Sequence, residues 1–131
     1  MKIGLIAVSG IRVRDEELLR LGLTLPGFVE RSKIIASLPS LGLLTLAGQT
    51  PSDCDVEYIE VEGIAGMKEL PNGFDLVGIS SYSAQIDEAY ELASRYKAKG
   101  IPSVLGGPHV TSLPDEAAGY CSSVVVGEGE A

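Results

Sequence analysis

This chain of 131 residues has no tryptophan, only 5% aromatic residues, one histidine, two cysteines and ten basic residues against eighteen acidic ones. Each scarcity excludes something. Cys54 and Cys121 lie far apart and read as reduced thiols rather than a disulfide framework, and two cysteines cannot ligate an iron–sulfur cluster unaided. A formal charge of −8 with no lysine or arginine cluster excludes a phosphate-neutralising surface, so no nucleic-acid partner is expected. No stretch approaches the roughly 18 consecutive apolar residues of a membrane span, so no membrane partner is expected either. Met1 to Val8 reads as a first strand rather than a signal peptide, and the expected location is cytoplasmic. No nucleophile–base pair and no metal-ligand cluster can be assembled, so the segment is expected to hold no catalytic residue and no protein-ligated metal.

What the chain has is aliphatic: 45% hydrophobic residues and sixteen glycines. A domain of this length buries roughly two-thirds of its unfolded surface, enough for one real core. Lys2 to Val8 is a nearly unbroken apolar run, as a strand covered on both faces requires. Residues 11–36 form a long insertion with one or two helical turns over Asp15 to Leu23, ended by Pro26-Gly27. Pro39 opens a helix that closes at Gly48; Leu41, Leu43, Leu44, Leu46 and Ala47 make it apolar nearly all round, which predicts deep burial. Asp55 to Val61 alternates polar and apolar, the pattern of an edge strand.

Asp75 to Ser80 is the third strand. Ile86, Ala89, Tyr90, Ala93 and Tyr96 keep helical spacing between Gln85 and Lys99, with Asp87 and Glu88 in the first turn and Gly100 as the stop. Pro102 to Leu105 gives a fourth strand. Ser112-Leu113-Pro114-Asp115 starts a short helix running to about Gly119, and Val124 to Val126 gives a fifth strand. Alternation of strand and helix points to an α/β fold, a doubly wound parallel sheet of five strands in the flavodoxin-like or Rossmann-like order 2-1-3-4-5.

In such a sheet ligands sit at strand carboxyl ends, near the switch point between strands one and three. The residues there are Ser9-Gly10, Ser80-Ser81-Tyr82, Gly106-Gly107-Pro108-His109 and Gly127-Glu128-Gly129-Glu130. A phosphoacceptor receiver needs an acidic pair and an aspartate at these places, and finds serines and glycines. A flavin phosphate loop needs hydroxyls and glycines after strand one, and finds Ile11-Arg12-Val13-Arg14. A dinucleotide fingerprint needs Gly-x-Gly-x-x-Gly there, and only Gly127-x-Gly129 echoes it, in the wrong place. A broad, flat, uncharged ligand remains. Plainer readings stand beside this one: Gly106-Gly107 as a positive-φ turn, Ser80 and Ser81 as helix caps, His109 as loop packing, Glu128 and Glu130 as a solvated pair, and Arg12, Arg14 and Arg31 as scattered surface charge.

Four segments, Leu38 to Ala47, Phe74 to Ser80, Gly106 to His109 and Val126 to Glu130, together resemble the amino-terminal cobalamin-binding domain of B12-dependent radical SAM proteins. The resemblance implies that the third-, fourth- and fifth-strand turns contact cobalamin and its tail. It also implies a downstream barrel in the same chain with a Cys-x-x-x-Cys-x-x-Cys motif, so residues 1–131 are expected to be one domain cut from a longer radical SAM enzyme. In that protein a [4Fe-4S] cluster, S-adenosylmethionine and cobalamin would serve methyl transfer or related radical chemistry. Some cobalamin domains carry Asp-x-His-x-x-Gly after strand one, whose histidine ligates cobalt; nothing after Val8 matches it, and the resemblance implies cobalt bound without a histidine on that face. The alternatives are a non-enzymatic flavodoxin-like interaction module and a stand-alone corrinoid carrier.

Overall fold

Beyond Lys2 the first strand carries no polar side chain, and such a run needs cover on both faces and neighbours on both edges. The computed structural model, which describes residues 1–8, 39–61, 63–65 and 67–129, places it accordingly. Strand β1 (Lys2–Val8) lies between β2 (Asp55–Val61) and β3 (Leu76–Ser81); β4 (Ser103–Gly106) and β5 (Ser123–Val124) follow, all parallel, in the order β2-β1-β3-β4-β5. This is the expected doubly wound, flavodoxin-like order. The alternating β2 is indeed an edge.

Because side chains alternate across a strand, odd and even positions of β1 belong to different cores. Ile6 and Val8 join Val77, Ile79 and Leu105 in the larger one, against helix α2 (Ile86–Ala98), which a 3₁₀ turn (Ser83–Gln85) precedes. Ala89, Leu92, Ala93 and Tyr96 of α2 are almost completely buried there. Leu5 and Ala7 face the other way and pack with Leu43 of helix α1 (Leu41–Gln49), flanked by Val56 and Tyr58. Tyr58 also anchors that helix: its hydroxyl accepts the Ser40 backbone N–H at 2.8 Å and donates to Glu60 Oε1 at 2.8 Å.

Three expectations change. Helix α1 is not deeply buried: Leu43 is its one buried residue, and Leu41 is 76% exposed. Its apolar circumference spans two sides, of which the sheet covers one. The short helix expected to start at Ser112-Leu113-Pro114-Asp115 and run to about Gly119 is present as Pro114–Ala118 (α4), with Leu113 rather than Ser112 at its N-cap, and an unexpected short helix, α3 (Pro108–Ser112), precedes it. Proline keeps its preceding residue out of the helical region, and Leu113 sits at φ −133°, ψ 61°. Ser112 therefore caps nothing; its hydroxyl donates back to the Pro108 carbonyl. The last strand ends at Val124 rather than Val126, one further ladder-like bond running from Val125 N to the Leu105 carbonyl before the chain turns at Gly127.

Candidate functional site

The register carries α1's sheet face sideways onto bare ground. Leu5 pairs with Gly78, which pairs with Val104, and Ala7 pairs with Ser80, which pairs with Gly106. Paired residues of parallel strands share a face, so the rows that bury Leu43 over β1 continue over β3 and β4 with hardly a side chain. A cleft of about 650 Å³ opens there. Its floor is Gly78, Ser80, Val104 and Gly106; one wall is Gly42, Leu43 and Leu46 of α1; the other is Gly107, Pro108 and Thr111, with Val125 and the Gly127-Glu128-Gly129 turn at the end.

Local geometry explains the turns. Gly107 has φ 113° and ψ 179°, a region closed to other residues, and a Cβ on it would stand 2.9 Å from the Ser81 carbonyl oxygen and 3.2 Å from Ser80 Oγ. The β4 turn is thus pressed against the end of β3. The fifth-strand turn is tied in twice. Gly127, at φ 83°, donates its N–H to Thr111 Oγ1 at 3.1 Å, and a Cβ on Gly129 would come within 3.2 Å of Leu46.

Of the residues singled out in the sequence, Ser80, Gly106, Gly107, Pro108, Gly127, Glu128 and Gly129 therefore meet around one cleft. Three others do not line it. Ser81 faces the opposite layer, 6% exposed, its Oγ without a hydrogen-bond partner among the described residues. Tyr82 stands past the strand end, 67% exposed, in extended backbone. Neither serine caps the following elements, whose N-caps are Tyr82 and Gln85. His109 lies on α3 but turns away, its ring edge-on to Tyr90 and its buried Nε2 3.5 Å from Glu116 Oε1. Ser9, Gly10, Glu130, the three arginines at 12, 14 and 31 and the 11–36 insertion lie outside the described residues.

Sequence reasoning missed the α1 wall, Gly42 and Leu46, together with Thr111 and Val125. The available signal was the helix itself, since a helix apolar all round in a small domain has more than one neighbour to face.

Among the described residues the polar lining is sparse: Ser80, Thr111, Glu128 and backbone, with no lysine or arginine. No group of three or more His, Cys, Asp or Glu among the described residues could hold a metal, and no helix among them is long and apolar enough to cross a membrane. Such a site can seat a large neutral ligand by shape, donating hydroxyls at the floor and wall and accepting N–H groups at its end.

Comparison with known proteins points the same way. The family model described as the B12 binding domain matches residues 32–131. Bacteriochlorophyllide d C-8(2)-methyltransferase of Chlorobaculum tepidum is 34% identical over 91 residues, covering 70% of this chain and 20% of its own length. Bacteriochlorophyllide d C-12(1)-methyltransferase of the same organism is 34% identical over 94 residues, covering 72% and 20%. An uncharacterized methyltransferase of Synechocystis sp. is 32% identical over 95 residues, covering 71% and 18%. The chain thus spans about a fifth of the length of these curated relatives. No solved structure matches it.

Proposed function

The chain belongs to the B12-binding domain family, and from that premise we propose that it is the corrinoid-holding domain of a larger methyltransferase. The observation that carries this is the cleft over β3 and β4, where the register replaces side chains by Gly78, Ser80 and Gly106. Small-molecule pockets run to roughly 300–1,000 Å³, and this one, at about 650 Å³, suits the nucleotide tail of a corrinoid better than the whole cofactor. The Gly106-Gly107 and Gly127-Glu128-Gly129 turns at the strand carboxyl ends would then hold the macrocycle.

The donor set fits a corrinoid. Its rim is ringed with carboxamides, whose N–H groups suit the Glu128 carboxylate, while the Ser80 and Thr111 hydroxyls can donate to the tail's oxygens. Thr111 keeps that capacity because in its bond to Gly127 it is the acceptor. A bound corrinoid supplies a cobalt centre able to accept and release an alkyl group; this chain's residues bind and orient it. The chain's one histidine, His109, faces Tyr90 and Glu116 rather than the cleft, which fits a corrinoid held without a histidine ligand from this domain.

The remainder of the protein we assign, by resemblance, to a radical SAM barrel with its [4Fe-4S] cluster and S-adenosylmethionine. The methyltransferase names of the relatives support methyl transfer as its chemistry. Titrating the chain with hydroxocobalamin under visible absorbance tests the central point: a saturable one-to-one complex with a base-off spectrum is expected. Failure of both this chain and the longer protein to bind at micromolar concentration would sink the proposal.

A further inference from the structure

We infer that Gly42 is a specificity-determining position which sets the thickness of the cleft and thereby selects corrinoids by the base on their nucleotide tail. The inference rests on the corrinoid reading above and adds a residue and a selectivity to it. Glycine in a helix is normally explained by a positive φ or by a close approach of neighbouring atoms. Gly42 has neither: among the described residues it is absent from the positive-φ glycines, and a Cβ built on it meets none of their atoms within 4 Å. It stands in the first turn of α1 on the same face as Leu46, one turn later, and both line the cleft. A side chain at 42 would therefore project into cleft space, toward a floor at Gly78 and Gly106 that is itself bare.

The same helix supplies a control. Gly48 also has ordinary backbone and nothing within 4 Å of a built Cβ, but it does not line the cleft. Among the described residues the two glycines are alike in backbone and in the space around them, and they differ in that Gly42 lines the cleft. The described lining of the cleft is apolar apart from Ser80, Thr111 and Glu128, so the occupant that would feel a Cβ at 42 is a flat, uncharged heterocycle lying between helix and strands, such as the benzimidazole of cobalamin.

The test compares two corrinoids that share a macrocycle: cobalamin, and cobinamide, which lacks the nucleotide. Wild type, Gly42→Val, Gly42→Ala and Gly48→Val are each titrated with both, and each is melted to check folding. Wild type is expected to prefer cobalamin. Gly42→Val should lose about tenfold or more in cobalamin affinity, the scale of overpacking a site its ligand already fills, with cobinamide binding unchanged. Gly42→Ala should lose less in the same direction, and it serves as the deciding variant if Gly42→Val fails to fold. Gly48→Val should bind both ligands as wild type does. Equal wild-type affinity for the two corrinoids, or an undiminished cobalamin preference in the folded Gly42 variants, overturns the inference while leaving the corrinoid reading standing. Binding of neither corrinoid by wild type or the longer protein overturns both.

Discussion

Adjacent glycines at the end of β4 should respond very differently to the same methyl group. Gly107 sits at φ 113°, ψ 179°, where a residue with a Cβ is strained by about 1–3 kcal/mol. An alanine there also places its Cβ 2.9 Å from the Ser81 carbonyl oxygen, and because that atom is backbone, relief requires β3 and β4 to separate. Overpacking of this kind adds about 1–3 kcal/mol. Gly107→Ala should therefore lose about 2–6 kcal/mol, a large fraction of the roughly 5–15 kcal/mol that holds a domain folded. Its melting temperature should fall by about 10 °C or more. At Gly106 a Cβ would lie 3.7 Å from Val125 Cβ, an ordinary contact, and the backbone is not in the left-handed region. Gly106→Ala should stay within about 1 kcal/mol of wild type, since the new methyl also restricts the unfolded chain. Urea unfolding followed by circular dichroism measures both, with an unchanged slope confirming that the denatured state is the same. Equal stability of the two variants, in either direction, would refute the turn geometry on which the cleft depends.

Two further outcomes follow from burial. Tyr90 and Tyr96 are both pushed up to about 12, Tyr90 by burial and then by its hydrogen bond to Glu116, Tyr96 by burial alone. A folded-state value raised above the unfolded value of about 10 means stability that is complete below pH 10 and lost as pH rises toward 12. Melting temperature should decline over that window in step with phenolate absorbance, and Tyr96→Phe should shallow the decline; a flat profile would contradict the burial. The Cys121 thiol is raised by burial and lies 3.0 Å from the Ser123 carbonyl and 3.3 Å from that of Ala117, whereas Cys54 is partly exposed. A thiol reagent should modify Cys54 in the native protein and Cys121 only on unfolding; rapid modification of both would show the β5 side to be open.

Elements that depend on local pattern were legible. The unbroken run of β1, the alternation of β2 and the helical spacing of α2 each follow from how many faces must be covered, and with parallel alternation they lead to the strand order. The cleft was legible in part. Glycine and serine at strand ends mark where ligands sit, but which side of a strand end faces the cleft is a matter of register. Ser80 is on the cleft side and Ser81 is not because Ala7 pairs with the first and Val8 with the second. His109 shows the same limit: it follows the Gly106-Gly107-Pro108 turn directly, yet one helical position turns it toward Tyr90. Pro114 was read as a helix start, whereas Pro108, which marks another in the same way, was a missed signal.

Helix α1 links fold and site. Its contact with the sheet rests on Leu5, Ala7, Val56 and Tyr58, side chains of β1 and β2. On β3 and β4 the same rows hold Gly78, Ser80 and Gly106, which give a helix nothing to pack against but leave a surface that a planar guest can approach closely. The helix is held at its start by the Tyr58 hydroxyl and touched beyond its middle by Gly129 of the last turn, so cleft width is set by contacts on both sides of it. Deep burial of α1 would have filled the cleft with leucine side chains. Its partial exposure is what keeps the cleft open, so a pattern that predicts a core helix in an ordinary domain marks the wall of a cleft in this one.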